Sequence, residues 1–347
     1  MKISEYVSLG HPDCVCDYIS EYILDRLLEQ DPDTRYALEV QMKDNYVTLG
    51  GEITTKAELA EPCWEIWVKE ALAEIGYDDN YAMKWGSENT ITPRLVEVVA
   101  HISKQSPDIA QGVNNDGWGD QGIFWGMADR TANDELLPED YYYAKKLCQH
   151  LYEKARNGAP WGLDIKTQVE VGPLGDVRKV IVAAPCYPGN LPELRKEVVD
   201  CFHDENFYHD GLNIIEYTIN GTGSYIKHAS IGDCGTTGRK LVVNFYGGNC
   251  QIGGGSPWTK DPTKADLSLN LYARHLAKQW LANHPEQNVV KVSIGCCIGR
   301  PEIDVTILDE FGNQLHSYTQ VKGPSEVIEE LGLKQPMYAD MCRKGLH

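Results

Sequence analysis

The feature that most constrains this chain is the stretch from residue 231 to 266, IGDCGTTGRKLVVNFYGGNCQIGGGSPWTKDPTKAD. Two glycine-rich runs, 232–238 and 247–255, flank the apolar run 241–246, whose pattern predicts a strand. Glycine lets a backbone approach an oxyanion closely, and Lys and Arg neutralise its charge. The charged residues are Arg239, Lys240, Lys260 and Lys264, with Asp233, Asp261 and Asp266 beside them. Carboxylates among cations indicate a shared divalent metal, so this composition is typical of a site for a polyphosphate and Mg²⁺.

The familiar nucleotide-binding motifs do not match this stretch. A Walker A loop requires G-x-x-x-x-G-K-[ST], but here the glycine spacing differs and Lys240 is followed by Leu241. No G-x-G-x-x-G follows a predicted strand, so a Rossmann domain has no support. Taken alone, the stretch is also compatible with a glycine-rich turn that carries solvated lysines.

Composition narrows the class of protein. The 347 residues carry a formal net charge of −19, which argues against a general nucleic-acid or anionic-membrane binder. A basic cluster in an acidic chain therefore points to a small anionic ligand. The first residues show no apolar signal region, and no apolar run is long enough to span a bilayer. Eleven irregularly spaced cysteines suggest reduced thiols, so we expect a cytoplasmic protein without structural zinc.

Hydrophobic periodicity predicts an α+β protein. Helices are expected at 17–30, 61–75, 141–157, 191–203 and 266–282. Strands are expected at 36–40, 46–49, 165–171, 178–184, 214–219, 241–246, 289–296 and 304–308. Because the order does not alternate strictly between strand and helix, we favour α+β subdomains over a doubly wound sheet. Three similar blocks are expected, at 1–100, 101–220 and 221–347.

Smaller groups of polar residues are ambiguous when each is taken alone. His11 and Asp13, just before the first helix, could hold a phosphate and its metal, or Asp13 could simply cap the helix. Glu52, behind two glycines, could bind an ammonium group or lie exposed in a turn. Asp120 in the glycine-rich loop 111–122 could belong to a mobile lid, and Asp164 with Lys166 could be an ordinary exposed pair.

The order of these groups along the chain is more informative than any one of them. The series GHPD, GGEITT, KQSPDI, GDQG, GDCGTTGRK, YGG, GGG and KDPTKAD resembles the S-adenosylmethionine synthetase (methionine adenosyltransferase) family from about residue 4 to 299. That resemblance implies three βαββαβ-type subdomains around a pseudo-threefold axis. It also implies ATP and L-methionine as substrates, two Mg²⁺ per site, activation by K⁺, and a homodimer or dimer of dimers with active sites between subunits.

The resemblance further assigns expected roles to matching positions. Catalysis would fall to His11, Lys166, Arg239, Lys240 and Lys260. ATP would be bound by these five and by Asp164, Tyr225, Asp233 and Ser256. Methionine would be bound by Glu52, Gln105, Asp120, Asp233 and Lys264. Mg²⁺ would be held by Asp13 and the partner subunit's Asp266, and K⁺ by Glu39.

The chain departs from the family pattern at several positions. Cys14 stands where the family has Lys, Ser224 where it has Arg, Tyr225 where it has Phe, and Ile252 where it has His. The loop that gates the family's active site is also several residues shorter. These changes leave three possibilities: a working synthetase, a member with an altered thioether or nucleotide substrate, or a non-catalytic ATP-binding homologue. The retained acidic and basic residues argue against the third.

Overall fold

The computed structural model describes residues 1–60, 62–104, 116–204, 208 and 215–346. The helices and strands of these residues fall into three consecutive blocks. The first block contains β1 (Lys2–Val7), α1 (Pro12–Leu28), β2 (Arg35–Lys43), β3 (Tyr46–Thr54), α2 (Cys63–Ile75), α3 (Asp79–Trp85) and β4 (Glu97–Ser103). The second contains β5 (Gly122–Asp129), α4 (Glu139–Arg156), β6 (Lys166–Val171), β7 (Val177–Ala183), α5 (Leu191–His203) and β8 (Glu216–Ile219). The third contains α6 (Ala229–Gly232), β9 (Gly235–Thr236), α7 (Leu241–Asn244), α8 (Ala265–Asn283), β10 (Val289–Cys296), β11 (Glu302–Leu308), β12 (Gln314–Val321), α9 (Pro324–Leu331) and α10 (Tyr338–Lys344).

The described strands form three four-stranded sheets that exchange strands in a cycle. The sheet orders are β4-β3-β2-β9, β1-β6-β7-β8 and β12-β11-β10-β5. The leading strand of each block pairs with another block: β1 with β6, β5 with β10 and β9 with β2. Each sheet carries one long helix, α1 on β2, α4 on β6 and α8 on β10. The α+β fold with three related subdomains, expected from the resemblance, is therefore confirmed.

Because the sheets exchange strands, the three predicted blocks are not independent of one another. Residues 1–100, 101–220 and 221–347 each contain most of one sheet, yet each also supplies one strand to a different sheet. The strands that cross are β1, β5 and β9. Because sheet pairing joins residues far apart in sequence, these segments are interlocked and do not form three separable units.

In each block, the segment before the last strand determines whether that strand is parallel or antiparallel to its neighbour. Helix α2 joins β3 to β4, and helix α5 joins β7 to β8, so both of these pairs are parallel. Between β11 and β12 the chain turns within residues 309–313, and the pair is antiparallel. A short turn can only reverse the chain, whereas a helix provides the crossover that a parallel pair requires. The third block thus departs from the βαββαβ order in its final strand.

Helix α1 is the most enclosed element of the fold. Every residue of it except Arg26 is buried, because it packs against β2, α2 and α10. The sequence predicts an amphipathic helix from residue 17, but the helix begins at Pro12 and its polar face is covered as well. Buried carboxylates on this face need hydrogen-bond donors. Asp25, for example, accepts from the backbone N–H groups of Tyr338 (3.0 Å) and Ala339 (2.9 Å).

Most of the predicted helices and strands are present within a few residues of their predicted bounds. One is wrong, since residues 241–244 form the helical turn α7, with Asn244 N–H donating to Lys240 O at 2.8 Å. The valines of this run have a high strand propensity, but tertiary context overrides it, and Phe245 N–H also closes a helical hydrogen bond onto Leu241 O at 3.0 Å. Several elements were not predicted, among them β1, β4, β5 and β12. Within the described residues, no helix combines the length and the apolarity needed to cross a membrane.

Candidate active site

The N-terminus of α1 places two of the predicted site residues together. Gly10 packs against Leu163, which precedes β6. A Cβ on Gly10 would lie 2.4 Å from Leu163 O, so only glycine fits. The next residue, His11, caps the helix, and its Nδ1 accepts a hydrogen bond from Asp13 N–H at 3.2 Å. Both side chains are about 2% exposed. The helix start therefore fixes an imidazole and a carboxylate side by side.

The GDCGTTGRK tract folds over this helix start. A Cβ on Gly235 would lie 2.1 Å from Pro12 O, which explains the glycine. Asp13 then receives two donors from the tract, Thr236 N–H at 2.9 Å and Lys240 Nζ at 2.5 Å, while the Arg239 guanidinium lies 3.9 Å away. The carboxylate is thereby held at a position where three cationic or N–H groups converge.

The surrounding charges hold His11 in its neutral form. Burial, followed by the positive charges of Lys240 and Lys166, lowers the pKa of His11 to about 3. Asp233 and Arg239 also act on this imidazole, so the four charged groups surround it. Because Nδ1 accepts from Asp13 N–H, the imidazole proton is placed on Nε2. His11 can therefore donate a hydrogen bond without carrying charge.

Asp164 lies at the edge of this group and has spare hydrogen-bonding capacity. Its Oδ2 accepts from Ala229 N–H at 2.9 Å, and Ala229 adopts a left-handed backbone (φ 52°) to present that N–H. Its Oδ1 is buried and has no partner within the described residues. Burial raises the pKa of Asp164 to about 6, and burial together with Asp164 raises the pKa of Tyr225. An acceptor and an aromatic ring thus lie close together.

We call this group the helix cluster. Its members are His11, Asp13, Asp164, Lys166, Tyr225, Asp233, Arg239 and Lys240. They come from all three blocks of the chain. Their common features are positive charge around a buried, hydrogen-bonded carboxylate, and a neutral donor at its centre, which suit a polyanionic ligand.

A second group forms where the GGG run meets the start of α8, and we call it the glycine cluster (residues 253–256, Lys260 and Asp266). Gly255 N–H donates to Asp266 Oδ1 at 2.9 Å, and Lys260 forms an ion pair with Asp266 Oδ2. A Cβ on Gly254 would lie 2.4 Å from Asp266 Oδ1, and Gly254 has φ +72°. Asp120 lies close by, since its carbonyl accepts from the Cys296 thiol at 3.4 Å. Burial raises the pKa of that thiol to about 12, with smaller contributions from Asp120 and Asp266.

Glu39 on β2 connects the two clusters. Its two carboxylate oxygens accept from the Thr237 and Thr259 hydroxyls, the latter at 3.2 Å. Ser256 meets the first tract as well, because a Cβ on Gly238 would lie 3.0 Å from Ser256 Cβ. The two glycine-rich runs of the sequence are therefore in contact in the fold.

Among the described residues, the expected methionine-binding side chains lie in separate places. Glu52 is exposed on β3, where it pairs with Ala37 and Ser103 of the neighbouring strands. Lys264 forms an ion pair with Asp261 (3.1 Å), which also accepts from Tyr36 N–H. Gln105 and the first five residues of the predicted gating loop, 111–115, lie outside the described residues.

Comparisons with known proteins match this chain to one family along most of its length. Residues 1–107 match the S-adenosylmethionine synthetase N-terminal domain, and residues 228–347 match the C-terminal domain. The S-adenosylmethionine synthase 2 of Rhodospirillum rubrum is 33% identical over 99% of this chain and 90% of its own length. The S-adenosylmethionine synthase of Solidesulfovibrio magneticus is 34% identical over 96% and 89%. The solved structure of an unusual S-adenosylmethionine synthetase from Campylobacter jejuni superposes with a TM-score of 0.90 at 31% identity, covering 100% of this chain and 94% of that one.

The chain belongs to the S-adenosylmethionine synthetase family. Its departures from the family pattern can now be placed in the fold. Cys14 is buried, and burial holds the pKa of its thiol well above its usual range, so the side chain stays neutral and adds no charge beside Asp13. Ser224 lies with its hydroxyl 3.6 Å from Cys186 Sγ.

One buried group in this family site was missed by sequence reasoning. Asp17 lies one helical turn after Asp13, and its Oδ1 accepts from Gly238 N–H at 2.8 Å. Its Oδ2 is buried without a partner in the described structure, and burial raises the pKa of Asp17 to about 8. The i, i+4 spacing from Asp13 was a signal that could have identified it.

Proposed function

We propose that this protein makes S-adenosyl-L-methionine from ATP and L-methionine, with release of phosphate and pyrophosphate. The observation that carries the proposal is the helix cluster, in which Lys166, Arg239 and Lys240 surround neutral His11 and buried Asp13. Such an arrangement supports charge stabilisation on a triphosphate leaving group, which is what this reaction requires of the protein. Methionine sulfur needs no base, because it is nucleophilic as it stands.

In the proposed reaction, sulfur attacks C5′ of ATP in line. The S–C5′ bond forms as the C5′–O bond breaks, and the electron pair leaves with the triphosphate. Lys166, Arg239 and Lys240 would stabilise the negative charge on that group, and Nε2–H of His11 would donate to the oxygen that departs. Water then cleaves the bound triphosphate to phosphate and pyrophosphate, and the same cations polarise the bond.

The residues present fit the ions that the family implies. Mg²⁺ is usually held by one or two carboxylates together with substrate phosphates, and it would neutralise phosphate charge. Asp13 and Asp266 are suitable donors, since each is now paired with a lysine, Lys240 or Lys260, that a triphosphate would attract. Glu39 with the Thr237 and Thr259 hydroxyls offers oxygen ligands suited to K⁺.

We further propose a homodimer whose active sites each combine one helix cluster with a glycine cluster from the partner. Within one chain the glycine cluster remains partly open, with the side chains of Lys260 and Asp266 about a fifth exposed. Glu52 and Lys264 are not joined to the helix cluster in the described residues. A second copy would supply these groups and exclude water from the reacting atoms.

A second candidate is a shifted nucleotide or thioether substrate. It is favoured by Ser224 and Tyr225, which take the places of an Arg and a Phe near the expected adenine position. The Ser224 side chain is too short to reach as far as an arginine, so base contacts would differ.

Product analysis separates these proposals. The purified protein would be incubated with ATP, methionine, Mg²⁺ and K⁺, and with GTP or ethionine in parallel. Equal amounts of S-adenosylmethionine, phosphate and pyrophosphate are expected, and Asp13→Asn serves as the inactive control. Faster turnover with another nucleotide or thioether would favour the second candidate. Absence of any reaction with ATP still bound would refute both.

A further inference from the structure

Three metal-ligating side chains meet between α4 and α5, and none of them belongs to the helix cluster or the glycine cluster. Glu197 and Cys201 are one turn apart on α5, so they project from the same face of that helix. His150 on α4 faces them, with Nε2 2.7 Å from Glu197 Oε1. The potential ligand atoms of the three residues all lie within 4.8 Å of one another.

The donor set has a specific chemical character. It combines one sulfur, one imidazole nitrogen and one carboxylate oxygen, which suits Zn²⁺ and related transition-metal ions better than Mg²⁺ or Ca²⁺. Cys201 is only 6% exposed, whereas the side chains of His150 and Glu197 are 33% and 26% exposed. The site is therefore open on one side, where an ion can enter and water can supply the fourth ligand.

The charges around the group include carboxylates that favour a cation and two lysines that compete with it. Asp200 and Asp204 act on Cys201 in addition to Glu197. Burial, and after it these carboxylates, raises the pKa of Cys201 to about 12, so the thiol keeps its proton in the absence of an ion. Lys154 opposes binding, because its Nζ lies 3.3 Å from Glu197 Oε1. Lys146 is a second nearby cation.

We propose that His150, Glu197 and Cys201 form a binding site for a divalent ion of the zinc class, which joins α5 to α4. On binding, the Cys201 thiol releases its proton to solvent and its sulfur bonds to the metal. In the metal-free fold the Nε2–H of His150 donates to Glu197; on binding, that proton passes to solvent, Nε2 bonds to the metal, and the ring proton is carried on Nδ1. Lys154 gives up its ion pair with Glu197. The proposal does not depend on catalysis by the family site.

The test uses the chelator-treated full-length protein and Zn²⁺ or Co²⁺ alone. Equilibrium dialysis with metal analysis gives stoichiometry and affinity, and Co²⁺ absorption reports thiolate ligation. We expect Cys201→Ser and His150→Asn each to lower the affinity of one Zn²⁺ per chain by about 100-fold or more, beyond the 10–100-fold typical of outer-shell changes. Cys201→Ser should also remove the thiolate-to-cobalt band.

Two further variants keep the test decisive. Lys154→Gln removes the competing charge and should tighten binding several-fold, an effect that an ordinary polar helix contact would not produce. Cys297→Ser, at an exposed thiol elsewhere, should leave this binding unchanged. Unchanged Zn²⁺ affinity in Cys201→Ser would overturn the proposal, as would failure of the parent protein to bind Zn²⁺. All of these variants are expected to keep the proposed S-adenosylmethionine synthesis. The two proposals can therefore fail independently of each other.

Discussion

The helix cluster and the glycine cluster contain similar residues but differ in how they are enclosed. In the helix cluster the Asp13 side chain is 3% exposed and is held by a backbone N–H from another block. In the glycine cluster the Asp266 side chain is 23% exposed, and its donors, Gly255 N–H and Lys260, come from the adjoining segment. The first is completed within one chain, whereas the second is open on one side. A buried charged side chain must be paired within its own chain. A partly exposed one is solvated by water and can be paired later by a ligand or a second subunit.

The largest effect is expected from breaking the enclosed cluster. Asp13→Asn removes the negative charge that pairs with Lys240 and, on the proposed function, a ligand for Mg²⁺. We expect kcat to fall by about 1000-fold or more, comparable to losing a principal electrostatic contact of a transition state. Steady-state release of phosphate and pyrophosphate measures this.

The matched control is the next residue, Cys14→Ser. Its thiol is buried and stays protonated, so it adds no charge to the site, and kcat should change by less than about threefold. A loss in Cys14→Ser as large as that in Asp13→Asn would show that the N-terminus of α1 acts through packing alone.

Combining damaged copies tests whether the two clusters serve one site across subunits. Asp13→Asn and Lys260→Ala should each be inactive alone. Co-expressed with different tags and purified as a mixed dimer, they should recover about half of the parent activity, because one of the two sites then has both halves intact. An inactive mixed dimer would mean that each chain builds its site alone.

A smaller effect, on stability, is expected at Asp17, the buried carboxylate one helical turn after Asp13. The pKa of Asp17 is raised to about 8 in the fold, so its contribution to stability is fully present below pH 3.8 and is lost as pH rises towards 8. Asp17→Asn keeps the acceptor for Gly238 N–H and removes this loss. The variant should gain stability relative to the parent by up to about 1.4 kcal/mol per pH unit between pH 4 and 8.

Urea unfolding at pH 5 and pH 8 measures this difference. The more exposed Asp266→Asn should show no comparable gain at pH 8. A pH-independent difference for Asp17→Asn would mean that the carboxylate is ionised and paired in the fold.

The smallest effect is expected at Glu39, which lies between the helix cluster and the glycine cluster. Glu39→Gln keeps the shape but removes the charge from the oxygens that face Thr237 and Thr259. Activation by K⁺ over Na⁺ should fall several-fold while the rate without K⁺ changes little. Glu97→Gln, exposed on β4 of the same sheet, is the control. Full K⁺ activation in Glu39→Gln would place the ion elsewhere.

Local requirements of the chain explain why much of the site could be predicted. Gly235 and Gly254 are glycines because a Cβ would collide with Pro12 O or Asp266 Oδ1, so the motifs carry their own structural reason. Helix α5 and strands β2 and β3 follow from short-range periodicity; the helix was predicted at its observed bounds, and the strands in the right places but shorter than observed. The run 241–246 was predicted wrongly, because tertiary context overrides its strand propensity and its backbone closes helical hydrogen bonds onto Lys240 and Leu241.

The sequence by itself determined the family, the charged and glycine-rich tracts, and most helices and strands, because these depend on residue type and spacing over a few turns. Only the tertiary structure decided that β1 pairs with β6 and that the three sheets exchange strands. It also decided that His11 is neutral and that one buried oxygen of Asp17 has no partner among the described residues. It also decided that His150 meets Glu197 and Cys201. Strand pairing, desolvation and ligand grouping join residues that are distant in sequence, and no local pattern encodes those distances.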